Sequence, residues 1–368
     1  MQWSRPILTA FLAAVIPLSA ADPDAKLIEK ANLIQQRIVA FDSHLDLPFD
    51  YAGAAEDGKT QFDLPKAARG HLKGAALAMF VPQGPRTPAG YAKAREDALK
   101  KIALIRAVAE SNPDRAALAY SPADVRRLAA QGKFAVVISL LNAYPLGSDL
   151  AQLDEWYQRG VRILGYTHAG HNDWSDSSRP SKALNDPLEE HHGLSDLGKK
   201  GIARLNDLGV LIDVSQLTTP ALKQVLSLTR APVVATHSGI RAIVDATRNL
   251  SDEELELIRK NGGVVQVVAF SNYLRPAPAA EGGPPAAPAT VAQFVDSVAY
   301  AVKKIGVDHV GIASDFNHGG GVAGWQNEGE GPNVTAELLR RGYSEREIAK
   351  LWGGNFLRVW GEAQKGKK

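Results

Sequence analysis

The sequence predicts an α/β fold, a (β/α)8 TIM-like barrel with a C-terminal helical extension. Eight short runs rich in Val, Ile and Ala recur along the chain, a composition typical of strands buried on both faces. Amphipathic stretches of helical period separate these runs, which favours parallel strands joined by helices. The chain has 368 residues, of which 45% are hydrophobic and 22% charged, so it can bury one large core. An open, doubly wound sheet is the alternative.

The eight predicted strands lie at 37–44, 74–81, 133–141, 161–168, 209–216, 232–238, 262–270 and 309–316. Helical patterns fill the intervals, and the pattern at 251–263 has a serine cap, acidic residues in its first turn and glycine after its end. A Pro/Ala/Gly-rich segment at 274–290 predicts a loop after the seventh strand, either an inert insertion or a lid. The helical pattern at 335–366 predicts the C-terminal extension.

Residues 1–21 have the pattern of a secretory signal peptide. Arg5 precedes an apolar segment at 7–18, and small residues follow at 19–21. This apolar run is short for a membrane span, which needs roughly 20 residues; an uncleaved anchor is the alternative. The pattern predicts an exported, periplasmic protein whose residues 22–368 form one domain. The chain has no cysteine, so it has no disulfides and depends on its core for stability.

The overall charge argues against a nucleic-acid partner. The net charge is +2, and no long basic run or aromatic-basic ladder occurs. A cysteine nucleophile is excluded by composition, and no G-x-S-x-G elbow is present.

Polar side chains stand where the predicted strands end. His44 and Asp46 close the first strand, His168 the fourth, His237 the sixth and Asp315 the eighth. The carboxyl ends of barrel strands gather on one face, where the active sites of such barrels lie. Alternate strand residues point to the same side, so His44 and Asp46 can offer nitrogen and oxygen to one ion. The pattern predicts a centre for zinc or another divalent metal; a structural polar cluster is the alternative.

Longer motifs around these residues resemble the membrane (renal) dipeptidase family of amidohydrolase-like barrels. The resemblance extends from about Arg37 to Phe356. The motifs are DSHLDLP (42–48), GVRILGYTHAGHNDWSDSS (160–178), GLSDLGKKGIARLNDLGVLIDVSQ (193–216), THSGIRAIVDATRNLSDEEL (236–255), NGGVVQVV (261–268) and GVDHVGIASDF (306–316). The resemblance implies a homodimeric metallodipeptidase with two zinc ions that share a bridging glutamate.

The resemblance also implies a set of metal ligands, and two positions depart from it. His44 and Asp46 match ligands of the first ion, and His237 matches a ligand of the second. Leu141 stands where the bridging glutamate is expected, and Gln216 replaces a histidine of the second ion. Leucine cannot bind a metal, and the neighbouring Asn142 would be a poor bridge. Both losses fall on the second ion, so we expect one ion per chain.

The remaining roles come from the same resemblance. His168 would contact the substrate carbonyl or the tetrahedral intermediate, and Arg248 would bind the substrate carboxylate, with Tyr273 at a nearby binding position. Asp315 would handle the proton, or would bind the single ion together with His44, Asp46 and His237. Two other readings stay open: a catalytically inactive periplasmic binding protein for small peptides, and a hydrolase of a non-dipeptide amide.

Four further histidines follow predicted strands or lie in loops. His171 and His318 are candidates for new ligands or for residues that line the pocket mouth. His191 and His192 are expected in a loop, where metal binding is a weaker prediction.

Overall fold

The computed structural model describes residues 23–275 and 287–368. Its strands, all paired in parallel, are β1 (Phe41–Asp46), β2 (Gly74–Phe80), β3 (Ala116–Leu118), β4 (Phe134–Leu141), β5 (Val161–Gly165), β6 (Leu211–Asp213), β7 (Val234–Ser238), β8 (Val264–Val268) and β9 (Val310–Ala313). The sheet order is β1-β2-β4-β5-β6-β7-β8-β9, which gives the eight barrel strands predicted from the sequence. The short β3 pairs only with β4 and is an addition to the prediction.

Helices surround this sheet. They are α1 (Pro23–Arg37), α2 (Leu64–Arg69), α3 (Pro88–Glu110), α4 (Pro122–Ala130), α5 (Gln152–Gln158), α6 (Asp196–Leu208), α7 (Thr219–Leu228), α8 (Asp252–Lys260), α9 (Ser271–Leu274), α10 (Val291–Ile305), α11 (Gly331–Arg340), α12 (Glu345–Ala349) and α13 (Asn355–Lys365). In α8 the predicted serine cap is Ser251, which forms a capping box with Glu254. No helix in the described part of the chain is long and apolar enough to cross a membrane.

The barrel closes between its first and last strands. The amide of Asp46 donates to the carbonyl of Phe316 at 2.9 Å, and the amide of Asp315 donates to the carbonyl of His44 at 3.0 Å. The fold is therefore a nearly closed (β/α)8 barrel, and the open-sheet alternative is wrong. This seam brings the polar ends of β1 and β9 together.

The C-terminal extension covers the opposite end of the barrel. Phe356 and Trp360 of α13 are fully buried against residues that begin strands, including Phe41 of β1. The Phe41 and Phe356 rings stack with centroids 4.9 Å apart. Burial of such rings contributes roughly 1.5–3 kcal/mol each. The extension thus covers the amino ends of the strands. The carboxyl ends of the strands stay open and can form a site.

Two sequence predictions fall largely outside the described residues. The predicted signal peptide, 1–21, lies wholly outside them. Most of the 274–290 segment lies outside them as well, so neither its lid role nor its role as an inert insertion is tested.

Candidate active site

Side chains from the ends of five barrel strands, β5 to β9, and from the loops that follow them line a small cavity at the carboxyl end of the barrel. Its volume is about 190 Å3. The lining residues are His168, Arg179, Gln216, His237, Arg248, Phe270, Tyr273, Asp315 and His318. Ligand pockets are usually about 300–1,000 Å3, so this one suits a small ligand.

The backbone turns sharply where two strands deliver their polar side chains. Gln216 and Asp315 both have positive φ, 68° and 56°. Non-glycine residues seldom adopt this left-handed conformation, which is concentrated at functional sites. The predicted strand 209–216 ends early, at Asp213, because the chain must make this turn to present Gln216 to the cavity.

His44 and His237 lie ring on ring at the centre of the site. Their centroids are 3.7 Å apart and their planes differ by 8°. Burial lowers the pKa of His44 to about 3, although the charge of Asp46 opposes the shift. Burial, and then the charges of His44 and Arg248, hold the pKa of His237 well below its usual range. Both imidazoles are therefore neutral at pH 7 and can act as lone-pair donors.

Asp315 has a carboxyl oxygen that lacks a partner. Its Oδ1 is buried without a hydrogen bond and lies 3.8 Å from Nε2 of His44. Burial raises the pKa of Asp315 to about 7, although the charges of His318 and Arg248 oppose the shift. A carboxyl group with a pKa near neutrality is suited to proton transfer, and its unpaired oxygen is suited to a cation.

Asp46 is held by two residues to which sequence analysis gave no such role. Nζ of Lys101, a buried residue of α3, donates to Oδ1 at 2.7 Å, and Lys101 also donates to the carbonyl of Leu47. The other oxygen, Oδ2, lies 3.2 Å from Nδ1 of His318. Burial opposes protonation of His318, but the hydrogen bond to Asp46 and the charge of Asp315 raise its pKa. We call His44, Asp46, Asp315 and His318 the β1/β9 side of the site.

Gln216 caps the ring nitrogen that His237 would offer to a metal. Its Nε2 lies 3.2 Å from Nε2 of His237. On the other edge of that ring, Nδ1 lies 2.8 Å from Oγ1 of Thr236, whose hydroxyl donates to Oδ2 of Asp213 at 2.6 Å. Because the threonine proton goes to Asp213, Nδ1 of His237 carries a hydrogen and donates to Thr236. Nε2 of His237 is then the acceptor, and the amide group of Gln216 donates to it.

Arg179 fixes the orientation of that amide. Its Nη2 donates to Oε1 of Gln216 at 2.5 Å and to Nε2 of His168 at 3.2 Å. An arginine can only donate, so Nε2 of His168 is an acceptor and its proton is on Nδ1. Burial, followed by the charge of Arg179, lowers the pKa of His168 to about 2, so this ring is neutral. We call Arg179, His168, Gln216 and His237 the β6/β7 side of the site.

Arg248 and Tyr273 lie together, as the resemblance implies. Arg248 is buried; its Nη1 donates to Oγ of Ser238 at 3.2 Å and its Nη2 to the carbonyl of His237. Its guanidinium carbon is 5.6 Å from the centre of the Tyr273 ring. Burial lowers the pKa of Arg248 to about 10, so the group stays charged. Within the described residues no carboxylate forms an ion pair with Arg248, which leaves its charge for a ligand.

An apolar wall takes the place of the expected bridging glutamate. Leu141 is buried and packs with Ala78 and Phe80. The Phe80 ring lies 4.5 Å from that of His168 and 4.7 Å from that of His318. Asn142 donates its amide to the carbonyl of Val81 at 3.0 Å, so it is engaged by the backbone and does not bridge metal ions here.

The remaining candidate histidines have structural partners. Nδ1 of His171 accepts from the amide of Ser177 at 2.9 Å, so its Nε2 donates to the carbonyl of Pro187, also at 2.9 Å. Nε2 of His191 lies 2.8 Å from the carbonyl of Asn172, and His192 is exposed beside Glu189. His318 lines the cavity, whereas His171, His191 and His192 do not.

The two sides differ in how they suit a divalent ion. On the β1/β9 side, His44, Asp46 and Asp315 are nitrogen and oxygen donors of the kind zinc takes, and Asp315 has a free oxygen. As they stand, however, no three His, Cys, Asp or Glu side chains of the described chain are grouped to hold an ion, since Asp46 faces Lys101. On the β6/β7 side, an amide and a guanidinium occupy the space beside His237. The β1/β9 side therefore has donors of a type that would suit a divalent ion if Asp46 were released from Lys101, and the β6/β7 side has no free donor beside His237.

A parallel barrel that gathers imidazoles, carboxylates and an unpaired arginine at its carboxyl face has the architecture of a metal-dependent hydrolase. A family model described as "Membrane dipeptidase (Peptidase family M19)" matches residues 28–368. The chain belongs to this family of metallodipeptidases, and a divalent metal cofactor is implied by that membership.

Individual relatives agree with the family. A protein named dipeptidase aclJ from Aspergillus oryzae is 28% identical over 309 residues, covering 83% of this chain and 70% of the relative. The crystal structure of the probable dipeptidase PvdM from Pseudomonas aeruginosa is 47% identical, with a TM-score of 0.89, and covers 94% of this chain and 100% of that one. A metallo peptidase from Rhodobacter sphaeroides, liganded with a phosphinate mimic of L-Ala-D-Ala, shares the fold with a TM-score of 0.77 at 24% identity, covering 89% of this chain and 99% of that one.

Proposed function

We propose that this metallodipeptidase homologue hydrolyses the amide bond of a small substrate with a free carboxylate, such as a dipeptide, and binds a single divalent ion, with zinc the best match to its donors. The observation that carries the proposal is the buried, unpaired Oδ1 of Asp315 beside His44, in the same small cavity as the unpaired guanidinium of Arg248. A proton acceptor and a carboxylate anchor thus line the same small cavity.

Each side chain has a role that follows from its contacts. His44, Asp46 and Asp315 would hold the ion, which when bound supplies an acidified water. Arg248 binds the substrate carboxylate through charge-assisted hydrogen bonds, and Tyr273 packs beside it. Phe80 and Leu141 form the apolar wall that excludes bulk water.

The proton balance closes within the site. Water adds to the scissile carbonyl carbon as its proton passes to the carboxylate of Asp315. The C–N bond then breaks, and the same proton passes to the leaving nitrogen, which yields a carboxylic acid and an amine. Asp315 can accept and return this proton because one of its carboxyl oxygens, Oδ1, has no hydrogen-bond partner among the described residues and its side chain lines the cavity.

One observation favours a second function, that of a binding protein without catalysis. Lys101 already neutralises Asp46, and an ion would have to draw Asp46 away from it. In that case the ligand would still be a small carboxylate bound by Arg248.

Metal analysis combined with kinetics separates the two functions. Purified 22–368 would be dialysed, analysed for metals and assayed on a panel of dipeptides, with and without added zinc. We expect about one ion per chain and zinc-dependent hydrolysis. No retained ion and no hydrolysis with zinc present would favour the binding protein, and two ions per chain would contradict the one-ion proposal.

Substitution of Arg248 tests the carboxylate anchor. Arg248→Met removes a charged hydrogen-bond donor, so KM should rise about 10- to 100-fold while kcat changes less. Arg230→Met is the matched control, since Arg230 precedes β7 at the opposite end of the barrel and pairs with Asp207. An unchanged KM for Arg248→Met would place the carboxylate elsewhere.

Localisation and assembly remain proposals as well. We propose that residues 1–21 direct export to the periplasm and are then removed, and that the mature chain forms a homodimer as the family resemblance implies. Mass spectrometry of the periplasmic fraction should give a mature chain that begins near residue 22. An intact N-terminus on a membrane-bound protein would contradict removal, and a monomer by light scattering would contradict the dimer.

A further inference from the structure

Arg179 reaches the cavity from the long loop between β5 and α6. Its backbone is fixed on both sides, since its amide donates to Oγ of Ser177 at 3.1 Å and its carbonyl accepts from the amide of Gly170 at 2.8 Å. The two hydrogens of Nη2 are used by Gln216 and His168. The guanidinium is therefore held in place before any ligand arrives.

Within the part of the chain that the structure describes, the rest of this guanidinium has no hydrogen-bond partner. Nε is buried without a hydrogen bond. Arg179 forms no ion pair with any carboxylate of the described residues, unlike Lys101, which faces Asp46. A buried donor without an acceptor is unfavourable, so the site gains stability when an oxygen atom is bound there.

A directed chain of hydrogen bonds leads away from Arg179. The guanidinium donates to Gln216, the Gln216 amide to His237, His237 to Thr236, and Thr236 to the carboxylate of Asp213. Every donor in this chain points the same way, from the cation towards a buried anion. Such a chain polarises its members in one direction and holds the guanidinium rigidly, as a preorganised charge must be held.

The same hydrogen bonds restrict one candidate for the oxygen-binding role. Nε2 of His168 accepts from Arg179, so this nitrogen cannot also donate a hydrogen bond to a substrate oxygen, and Nδ1 is the one donor left on a neutral ring. The scissile carbonyl of a substrate whose carboxylate is bound by Arg248 still needs a charged donor, and Arg179 is a second guanidinium that lines the same cavity.

We propose that Arg179 is a catalytic residue that binds the oxygen of the scissile carbonyl and the oxyanion formed from it, in the space beside His237 where a second metal ion would otherwise be bound. The inference rests on the proposed amide hydrolysis. It adds Arg179 to the residues that take part, and its guanidinium supplies a positive charge at the scissile carbonyl oxygen. In the addition step, the carbonyl π electrons move to the oxygen as the water oxygen bonds to carbon, and the new negative charge faces Arg179.

Binding of a tetrahedral analogue tests this role without requiring turnover. One probe is the phosphinate mimic of Ala-Ala, whose two phosphinyl oxygens replace the carbonyl oxygen and the attacking water oxygen, and it is titrated calorimetrically into the zinc-loaded chain. The other probe is Ala-Ala itself, whose KM is measured where the chain hydrolyses it and whose Kd is titrated where it does not. Arg179→Met should weaken the phosphinate about 100-fold and Ala-Ala only a few-fold, because interactions made in the transition state are those that the analogue reports. Arg179→Lys, which keeps the charge but not the fork, should restore part of the loss.

Controls separate direct binding from positioning. Gln216→Met interrupts the hydrogen-bond chain but leaves the guanidinium, and should weaken the phosphinate less than Arg179→Met does. Arg230→Met should change neither affinity. If Arg179→Met does not fold, as judged by its thermal unfolding, Arg179→Lys alone must still lower phosphinate affinity more than that of Ala-Ala.

The possible failures are distinguishable. The role of Arg179 is overturned if Arg179→Met and Arg179→Lys each weaken the phosphinate and Ala-Ala by the same factor, or weaken neither. This holds even if hydrolysis is observed. Arg179-dependent phosphinate binding without any hydrolysis would show an anion site at Arg179, but it would contradict the proposed function and, with it, the catalytic role of Arg179.

Discussion

The two sides of the site use the same barrel edge in different ways. On the β1/β9 side, imidazole and carboxylate groups still carry unused capacity, notably Oδ1 of Asp315. On the β6/β7 side, the nitrogen that His237 could offer to a metal is capped by Gln216, which Arg179 fixes in turn. The β1/β9 side has donors for a metal cation, whereas the cation on the β6/β7 side is a side chain, the guanidinium of Arg179. If the chain binds one ion as proposed, a side chain takes the place of a second metal ion in this barrel while the fold of the family is kept.

The largest expected effect lies at the unpaired carboxyl group. Asp315→Asn removes the proton acceptor, so hydrolysis should fall by about 100-fold or more. Because the pKa of Asp315 is raised to about 7 in the folded chain, the folded state favours its protonated form. In chelator, wild-type stability should therefore fall as pH rises from about 4 to 7, a trend set by the unfolded and folded pKa values. Asp315→Asn should lose this trend in urea unfolding; an unchanged profile would show that another group titrates.

Lys101 tests how far the β1/β9 side depends on a fixed cation before metal binds. Lys101→Met leaves Asp46 buried without its charged partner, which should lower the free energy of unfolding of the metal-free chain by about 3–5 kcal/mol. Added zinc should stabilise this variant more than wild type, because Asp46 no longer has to leave Lys101. The adjacent Lys100→Met is the control, since Lys100 is exposed and pairs only with surface carboxylates. Equal losses in the two variants would contradict the role given to Lys101.

The smallest expected effect is a change in metal stoichiometry. It tests which side chain prevents a second ion from binding on the β6/β7 side. Leu141→Glu with Gln216→His restores the two side chains expected from the family resemblance, yet Arg179 would still lie beside them. We expect this pair to retain about one ion per chain and the triple change with Arg179→Met to bind about two. Elemental analysis after dialysis measures both. A second ion bound by the double variant would show that Arg179 does not block the site.

Sequence analysis predicted the barrel and placed five polar residues at strand ends, because buried parallel strands have a clear composition and end on one face. His168, His237 and Asp315 line the cavity, His44 stacks on His237, and Asp46 contacts His318, which also lines the cavity. The roles of these residues stay predictions. Arg179 was missed because it lies in a long loop without periodicity, where only the three-dimensional path shows what a side chain reaches.

Lys101 was missed for a different reason, and its sequence did contain a signal. A pair of lysines usually indicates an exposed helical face. The buried positions of α3 nevertheless include Ala94, Ala98, Lys101, Ile105 and Val108, which are spaced by four and three residues. A charged residue on such an apolar stripe must have a buried partner, and the helical register alone would have identified Lys101.

The seam between β1 and β9 also decides when the site can exist during synthesis. Asp46 and His318 touch although they are 272 positions apart. A nascent chain that has not yet reached β9 has an unpaired β1 edge and lacks Asp315. Closure of the barrel and completion of the β1/β9 side are therefore one event, which requires β9 to be present. Until then the two edge strands expose unpaired backbone N–H and C=O groups, which can pair with other chains. The incomplete barrel is therefore prone to aggregation.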